Sequence, residues 1–288
     1  MSNGDPPVST DSRTPPDVKQ RQEEWQQRDI HEKSAASAET VYKAILLEAN
    51  EELVRPSAAL AWSGLAAGLS MGFSLVTEGL IQSHLPETHW SRLVANFGYT
   101  VGFIILILGR QQLFTENTLT PILSLLRHKD VATFVSTARL WIVLLVSNLV
   151  GAAIIAFLLN RTSAFTPEEQ EAFLKIASTS MEPPRLTLFF KSIFAGWLIA
   201  TMVWMLPVAE TGRIWVLIIV PYIVGLGHLS HIIIGSIYCF YTIFAGHASW
   251  AEYFSHFFWP VLLGNCIGGV ALVAIVNHQQ ATAGTEES

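Results

Sequence analysis

The sequence predicts an all-α membrane protein: six transmembrane segments in an inverted three-plus-three repeat, with the second and fifth segments broken. Three observations predict it. The 288 residues are 51% hydrophobic and 14% charged, with a mean hydropathy of +0.40, against about 25% charged residues in ordinary soluble domains. Apolar runs long enough to cross about 30 Å of hydrocarbon recur along the chain. Two of those runs are interrupted by glycine and polar residues at corresponding positions of the two halves, which is how discontinuous helices around a midplane site are written in sequence.

Composition also excludes. The net charge of −6 comes mostly from acidic residues in the tails and one loop, and no basic face is present, so nucleic-acid binding has no support. Cys239 and Cys266 lie inside apolar segments and read as small hydrophobes, with neither a disulfide framework nor a metal-ligand spacing. No nucleophile, base and acid stand beside a soluble pocket, so an enzyme is not expected, and neither a cofactor nor a metal is implied. The polar N-terminus lacks the short apolar core of a cleavable signal, so the first span is expected to stay as an anchor.

Residues 1–36 are rich in Pro, Ser, Gln and charge, too polar to bury a core, and are expected to be a disordered cytoplasmic segment. Over 37–55 the chain reads as an amphipathic surface helix, with Val41, Ile45, Ala49 and Leu53 on one face and Glu39, Lys43 and Asn50 on another. The transport region spans 56–277, and residues 278–288 form a flexible polar tail.

The first apolar segment, about 58–81, carries Gly64, Gly68 and Gly72 at four-residue spacing, a stripe that lets helices pack closely. The second starts near Leu93, breaks from Gly109 to Thr118 and resumes over 119–126. The third and fourth cover about 131–159 and 186–206. The fifth lies within the run from Ile214 to Ala245, too long for one crossing, and is interrupted by Gly225, Gly227, His228, His231 and Gly235. The sixth covers about 257–276. With the N-terminus inside, Lys43, Arg55, Arg127, Lys129 and Arg213 lie near the inner surface, and Arg92, Arg161, Lys175 and Arg185 lie outside. That balance favours cytoplasmic termini. A channel or carrier follows from the paired interruptions alone.

Four short strings then resemble the formate/nitrite transporter family, over roughly residues 40–277. They are Leu113-Phe114-Thr115 after Gly109, Asn148-Leu149-Val150-Gly151-Ala152, Pro260, and Gly264-Asn265-Cys266-Ile267-Gly268-Gly269. Within the family the pattern resembles a YfdC-like branch, whose substrate is not assumed to be formate. The resemblance implies an aquaporin-like protomer assembled as a homopentamer in a bacterial inner membrane. It also implies one pore per protomer, passage of small monovalent anions of weak acids, and proton coupling. A central histidine on the broken fifth helix would face a threonine from the second-helix loop, between apolar and aromatic constrictions.

Thr115 matches the loop threonine, and His231 is assigned as the central histidine, with His228, one turn earlier, as the competing assignment. Tyr99 and Phe103 stand at an aromatic constriction, and Val224 and Leu226 are constriction candidates on the fifth segment. Gly235 stands where the family often has Asn. Lys191, Arg185 and Arg110 are the candidates for attracting an anion. For Arg110 two roles stay open, attraction or an ion pair with Glu116 that pins the loop. Gly109, Leu113, Phe114, Asn148, Gly151, Asn265, Gly268 and Gly269 are expected to build the loops and their packing.

The chemistry suits the assignment. An ionisable side chain at membrane depth beside a helix break marks a functional site. Imidazole titrates near neutrality, so His231 could hand a proton to an entering anion, or stay neutral and only hydrogen-bond it. Glu78 and Arg139 read as interfacial or helix-bonding groups, and the tryptophans as anchors or packing. The expected partners are the permeant anion, protons, the lipid bilayer and further copies of the chain. The competing functions are a channel for another small or neutral solute, and a sealed structural or regulatory membrane protein.

Overall fold

The computed structural model describes residues 37–282, and Ala38 onward forms one structural unit. The expected disordered segment 1–36 and residues 283–288 of the expected tail lie outside the described residues. The described residues are helical throughout, joined by turns.

Helix α1 is Ala38–Val54. Its predicted apolar face is buried, with Val41, Ile45, Ala49 and Leu53 at most 8% exposed. It packs on α5 (Thr120–His128) around Leu119, Ile122 and Leu123. Helix α2 is Ser57–Ser83, directly after Pro56, whose fixed φ suits a helix start. The second apolar segment is α3 (His89–Ala95) and α4 (Tyr99–Leu108), followed by a loop, a 3₁₀ turn at Glu116–Thr118, and α5.

Helix α6 is Val131–Arg161, started by Asp130, whose carboxylate accepts from the Thr133 N–H at 2.8 Å. The acidic loop that follows contains a helix the apolar pattern does not predict, α7 (Pro167–Ser178). Its signal is the Thr166–Glu169 capping box, in which each side chain accepts from the other's backbone N–H. Helix α8 is Arg185–Met205, and the fifth segment divides into α9 (Arg213–Leu226) and α10 (Ile232–Phe244). The last segment runs through Trp250–Glu252, a π-helical turn Tyr253–Phe258, α11 (Trp259–Gly269), a second π-helical stretch Val270–Ile275, and α12 (Val276–Thr282). Helix therefore continues past 277, and the His278 ring sits 5.5 Å from the Tyr42 ring of α1.

Among the described residues four helices have the length and composition to cross a bilayer: Ser57–Ser83, His89–Leu108, Val131–Arg161 and Arg185–Val208; Ile232–Phe244 is a shorter apolar helix. The remaining apolar stretches are divided by the fifth-segment break and the π-helical turns. The glycine stripe works as its spacing predicts. Any Cβ at Gly64, Gly68 or Gly72 would run into Ser147, the Asn148 carbonyl or Ile155 of α6. On the other side, Gly196 of α8 meets the Asn265 backbone, and Gly264 and Gly268 of α11 meet Ser192 and the Ile193 carbonyl. Large apolar side chains face outward on α6 (Ile142, Val146, Val150, Phe157) and on α8 (Phe190, Phe194, Trp197), all more than 40% exposed. Apolar area of that extent belongs against lipid or another protein surface.

Candidate functional site

Helices α4 and α9 end in the same way. The Gly109 N–H donates to Ile105 O and the Gly227 N–H to Ile223 O, both at 2.9 Å. The next residue is left-handed in each case, Arg110 at φ 53° and His228 at φ 47°. Two residues after each glycine the chain turns back, the Gln111 N–H to Leu106 O and the Leu229 N–H to Val224 O, again both at 2.9 Å. This is a Schellman closure, with arginine and histidine at the position glycine usually fills. The glycines that mark the breaks in sequence keep right-handed φ, at −75° and −76°.

Each interruption is then clamped by an asparagine. Asn148 of α6 accepts from the Phe114 N–H (2.8 Å) and donates to Gln112 O (3.0 Å) and Gly64 O (2.8 Å). Asn265 of α11 accepts from the Ile232 N–H (2.8 Å) and donates to Ser230 O (2.9 Å) and Ser192 O (2.8 Å). Both asparagines are fully buried. Backbone groups freed by a break need such partners where water and lipid supply none. Gly151 and Gly268 let α2 and α8 come close enough for the third bond, since a Cβ there would strike the Leu65 or Ile193 carbonyl. Gly269 lies against the Thr118 side chain.

These clamps bring Thr115 and His231 together. Thr115 Oγ1 and His231 Nε2 are 2.7 Å apart, and the two residues are 0% and 1% exposed. His231 is also the N-cap of α10, its Nδ1 accepting from the Ile234 N–H at 3.5 Å. That network assigns the proton of the neutral ring to Nε2, which donates to Thr115 and leaves the threonine hydroxyl hydrogen free for another acceptor. Phe103 stands edge-on to the imidazole at 5.4 Å, and Tyr99 lies 5.8 Å beyond Phe103. Leu113 and Phe114 are buried beside them, with Phe114 edge-on to Trp141.

Two cavities approach this contact from opposite ends of α4. One, of about 650 Å³, lies beside α7 and is lined by Tyr99, Glu78, His228, Ser230 and His231. The other, of about 640 Å³, lies beside α1 and is lined by Ile107, Arg110, Gln112, Glu116 and Arg213. Thr115 sits between Gln112 and Glu116 of the second cavity, and its partner His231 fronts the first. Thr115 itself lines neither cavity, and the buried Thr115–His231 contact stands between the two.

His228 is not at that contact. Its Nε2 lies 3.4 Å from an Arg92 guanidinium nitrogen in the α7-side cavity. Arg92 is a residue the sequence reasoning missed as a pathway group; its signal is a basic side chain opening the second apolar segment. Lys191 of α8 is half-buried and near enough for its charge to act on His228, while Arg185 is exposed at the α8 N-terminus. Val224 is buried, in line with Leu217 and Val220 on the inward face of α9. Leu226, two residues on and about 200° around the helix, is 40% exposed. It does not share the inward face of Val224.

Among the described residues no ion pair joins Arg110 to Glu116: Arg110 is exposed, and Glu116 Oε1 is buried with no hydrogen-bond partner. The space expected for a polar side chain at Gly235 is filled by the Phe257 ring, which a Cβ would strike. Glu78 bonds a neighbouring helix, accepting from the Tyr238 hydroxyl at 2.8 Å. Arg139 donates to Leu53 O (2.7 Å) and Arg55 O (3.1 Å), closing the end of α1. On α1 itself, Glu52 accepts from the Gln112 side chain at 2.9 Å, and burial pushes its carboxyl above the usual range. At the rim of the α7-side cavity, the Lys175 ammonium holds Glu87 below that range.

A family model described as formate/nitrite transporter matches residues 38–279. Among relatives, the inner membrane protein YfdC of Escherichia coli (strain K12) is 40% identical over 243 residues, 84% of this chain and 78% of that protein. The formate channel BtFdhC of Bacillus thuringiensis is 26% identical over 216 residues, 72% of this chain and 80% of that one. Two solved structures share the fold at 18% identity. A pentameric formate channel with formate bound has a TM-score of 0.64 and covers 76% of this chain and 95% of its own. An FNT family ion channel has a TM-score of 0.70, with 82% and 96% covered. The chain is an integral membrane protein of the formate/nitrite transporter family, and not an enzyme.

Proposed function

We propose that this protein is a channel or transporter for small monovalent anions of weak acids, the formate/nitrite class, and that passage is proton-linked, the neutral acid crossing at the Thr115–His231 site. The observation that carries this reading is the 2.7 Å contact between Thr115 and His231, which stands between two cavities at opposite ends of α4. Formate is what the relative from Bacillus thuringiensis and one structural neighbour are described as passing or binding.

The protomer is a six-segment, aquaporin-like inverted repeat over 56–277, broken in its second and fifth segments. The matched Schellman closures at Arg110 and His228 and the matched clamps of Asn148 and Asn265 support this. The apolar outer faces of α6 and α8 support burial in lipid and assembly with further copies, as a homopentamer like the neighbouring formate channel. The relative from Escherichia coli is described as an inner membrane protein, which supports the bacterial inner membrane as the place of this chain, and both termini are proposed to lie on the cytoplasmic side.

A lone anion meets a desolvation cost of many kcal/mol between Phe103, Val224 and the buried ends of the two loops. A neutral acid does not. The neutral form also matches the site: its carbonyl accepts from a hydroxyl or imidazole N–H, and its acid proton finds an acceptor. Arg92 on one side and Arg110 and Arg213 on the other give an entering anion cationic side chains to meet, among the carboxyls that also line both cavities.

Flux in proteoliposomes tests the function, with formate, nitrite, acetate, lactate, hydrosulfide and one neutral solute at several pH values. Weak-acid flux that rises as pH falls is the expected result. Passage of the neutral solute alone favours a solute channel, and no permeation by any of them overturns transport in favour of a sealed structural protein.

A further inference from the structure

The Thr115–His231 pair is poorly placed to supply protons. Both imidazole nitrogens are already engaged, and the ring is 1% exposed. A proton for the permeant is better placed elsewhere, and each cavity presents a carboxyl group on its way to the pair. In the α7-side cavity it is Glu78, held by the Tyr238 hydroxyl at 2.8 Å. In the α1-side cavity it is Glu116, directly after Thr115, with its Oε1 buried and without a hydrogen-bond partner. A buried polar oxygen of this kind calls for an occupant of the cavity that donates to it.

An ionised carboxylate in either position repels an approaching anion, and the repulsion grows as water is excluded. An uncharged carboxyl does not repel, and it carries the proton that the anion needs. We propose that Glu78 and Glu116 are the proton-exchange groups of the pathway, one on each side of the Thr115–His231 pair. Entering from the α7 side, the permeant carboxylate takes the Glu78 proton: the Glu78 O–H bond breaks, an O–H bond forms on the permeant, and Glu78 is left ionised. The neutral acid then passes Phe103, Thr115 and His231. Beyond them, ionised Glu116 takes the proton back, and the anion leaves. Water in each cavity then reprotonates Glu78 and deprotonates Glu116, so one proton moves with each anion. Entry from the α1 side runs the same steps in reverse.

Other charges share both cavities. Facing Glu78 are Tyr238 of α10, Tyr99 of α4, and His89 and Arg92 of α3. Farther out are Glu87, Lys175, Glu182 and His228. Glu116 faces Glu48, Glu51, Glu52 and Arg55 from the α1 side, together with Arg110 and Arg213. Only Glu78 and Glu116 combine a carboxyl with a place on the segments next to the central pair.

The inference rests on weak-acid passage, and its test separates the two. Formate flux and the accompanying proton flux are measured in proteoliposomes for the full chain, Glu78→Gln, Glu116→Gln and the double variant, each checked for oligomer size. Gln keeps the shape and a hydrogen bond to Tyr238 but cannot exchange a proton. Without the exchange groups, only acid preformed in solution enters, so variant flux should fall about ten-fold per pH unit above the acid's own pKa. The native protein should show a flatter profile. Variant profiles that overlay the native one, or variants that pass more formate at every pH, overturn the relay. If the native protein passes no weak acid at all, the proposed function fails instead. Glu78→Asp should recover part of the alkaline flux, which a purely structural role of the Tyr238 hydrogen bond would not require.

Discussion

Asn148 and Asn265 make the same three hydrogen bonds in the two halves of the chain. Each accepts from an N–H at a helix interruption and donates to the carbonyl two residues before that N–H and to one on a neighbouring helix. Replacing either by Ala strands one buried N–H and one loop carbonyl, each costing about 1–3 kcal/mol, and removes a further bond to a helical carbonyl. The expected loss is about 3 kcal/mol or more for each variant, read as thermal unfolding in detergent. Near-native stability in either one would show that its interruption is held by something else.

Two imidazoles three residues apart occupy separate places, His231 against Thr115 and His228 beside Arg92. His231→Phe should lower weak-acid flux by about ten-fold or more, because it removes a group bonded to the central threonine. His228→Gly should leave conduction at saturating anion largely intact. It should stabilise the fold by about 1 kcal/mol, since glycine fits a left-handed turn that histidine occupies under strain. Arg92→Gln should raise the half-saturating anion concentration about three-fold and flatten its salt dependence. The histidine assignment is reversed if His228 variants lose conduction and His231 variants do not.

Gly235 and Phe257 form one unit. Gly235→Asn places a side chain against the Phe257 ring, and overpacking of this kind costs about 1–3 kcal/mol. Pairing it with Phe257→Ala should restore most of that stability in the same thermal assay. A tolerated single variant would mean that the ring moves aside freely.

Asp130 caps α6, and the Thr133 N–H holds its carboxyl below the ordinary aspartate range. A depressed carboxyl contributes its stability in full above its unfolded value, and loses it as pH falls through the lower folded one. Thermal stability should therefore carry an acid-side loss below about pH 4 that Asp130→Asn weakens. An unchanged acid limb in that variant would assign the loss to other carboxylates.

Much of the fold was legible because its signals are local. Hydropathy marked the apolar segments, the four-residue spacing of Gly64, Gly68 and Gly72 marked the α2–α6 contact, and the apolar spacing of α1 marked its buried face. Helix α7 was missed, although Thr166 and Glu169 carry a capping box, because attention to apolar runs passes over a polar helix. Leu226 was drawn in by its neighbours. Only the orientation of α9 shows that it turns away from Val224.

The site was legible in part. Thr115 and His231 stood out as a hydroxyl and an imidazole beside helix breaks. Arg92 and Glu78 did not, because a charge near the end of an apolar segment is the ordinary pattern at a membrane surface, and only the packing of α3, α7 and α10 turns both into one cavity.

The sequence by itself determined the helical membrane class, where the second and fifth segments are interrupted, and which polar side chains stand at those interruptions, since each follows from composition and short-range order. Only the tertiary structure decided which histidine meets Thr115, that Arg110 leaves Glu116 unpaired, and that Phe257 takes the room beside Gly235. The Thr115–His231 contact brings segments 116 residues apart into register, and the other two outcomes depend on local packing. Here Asn148 and Asn265 hold that register, through hydrogen bonds to backbone groups that no side-chain pattern records.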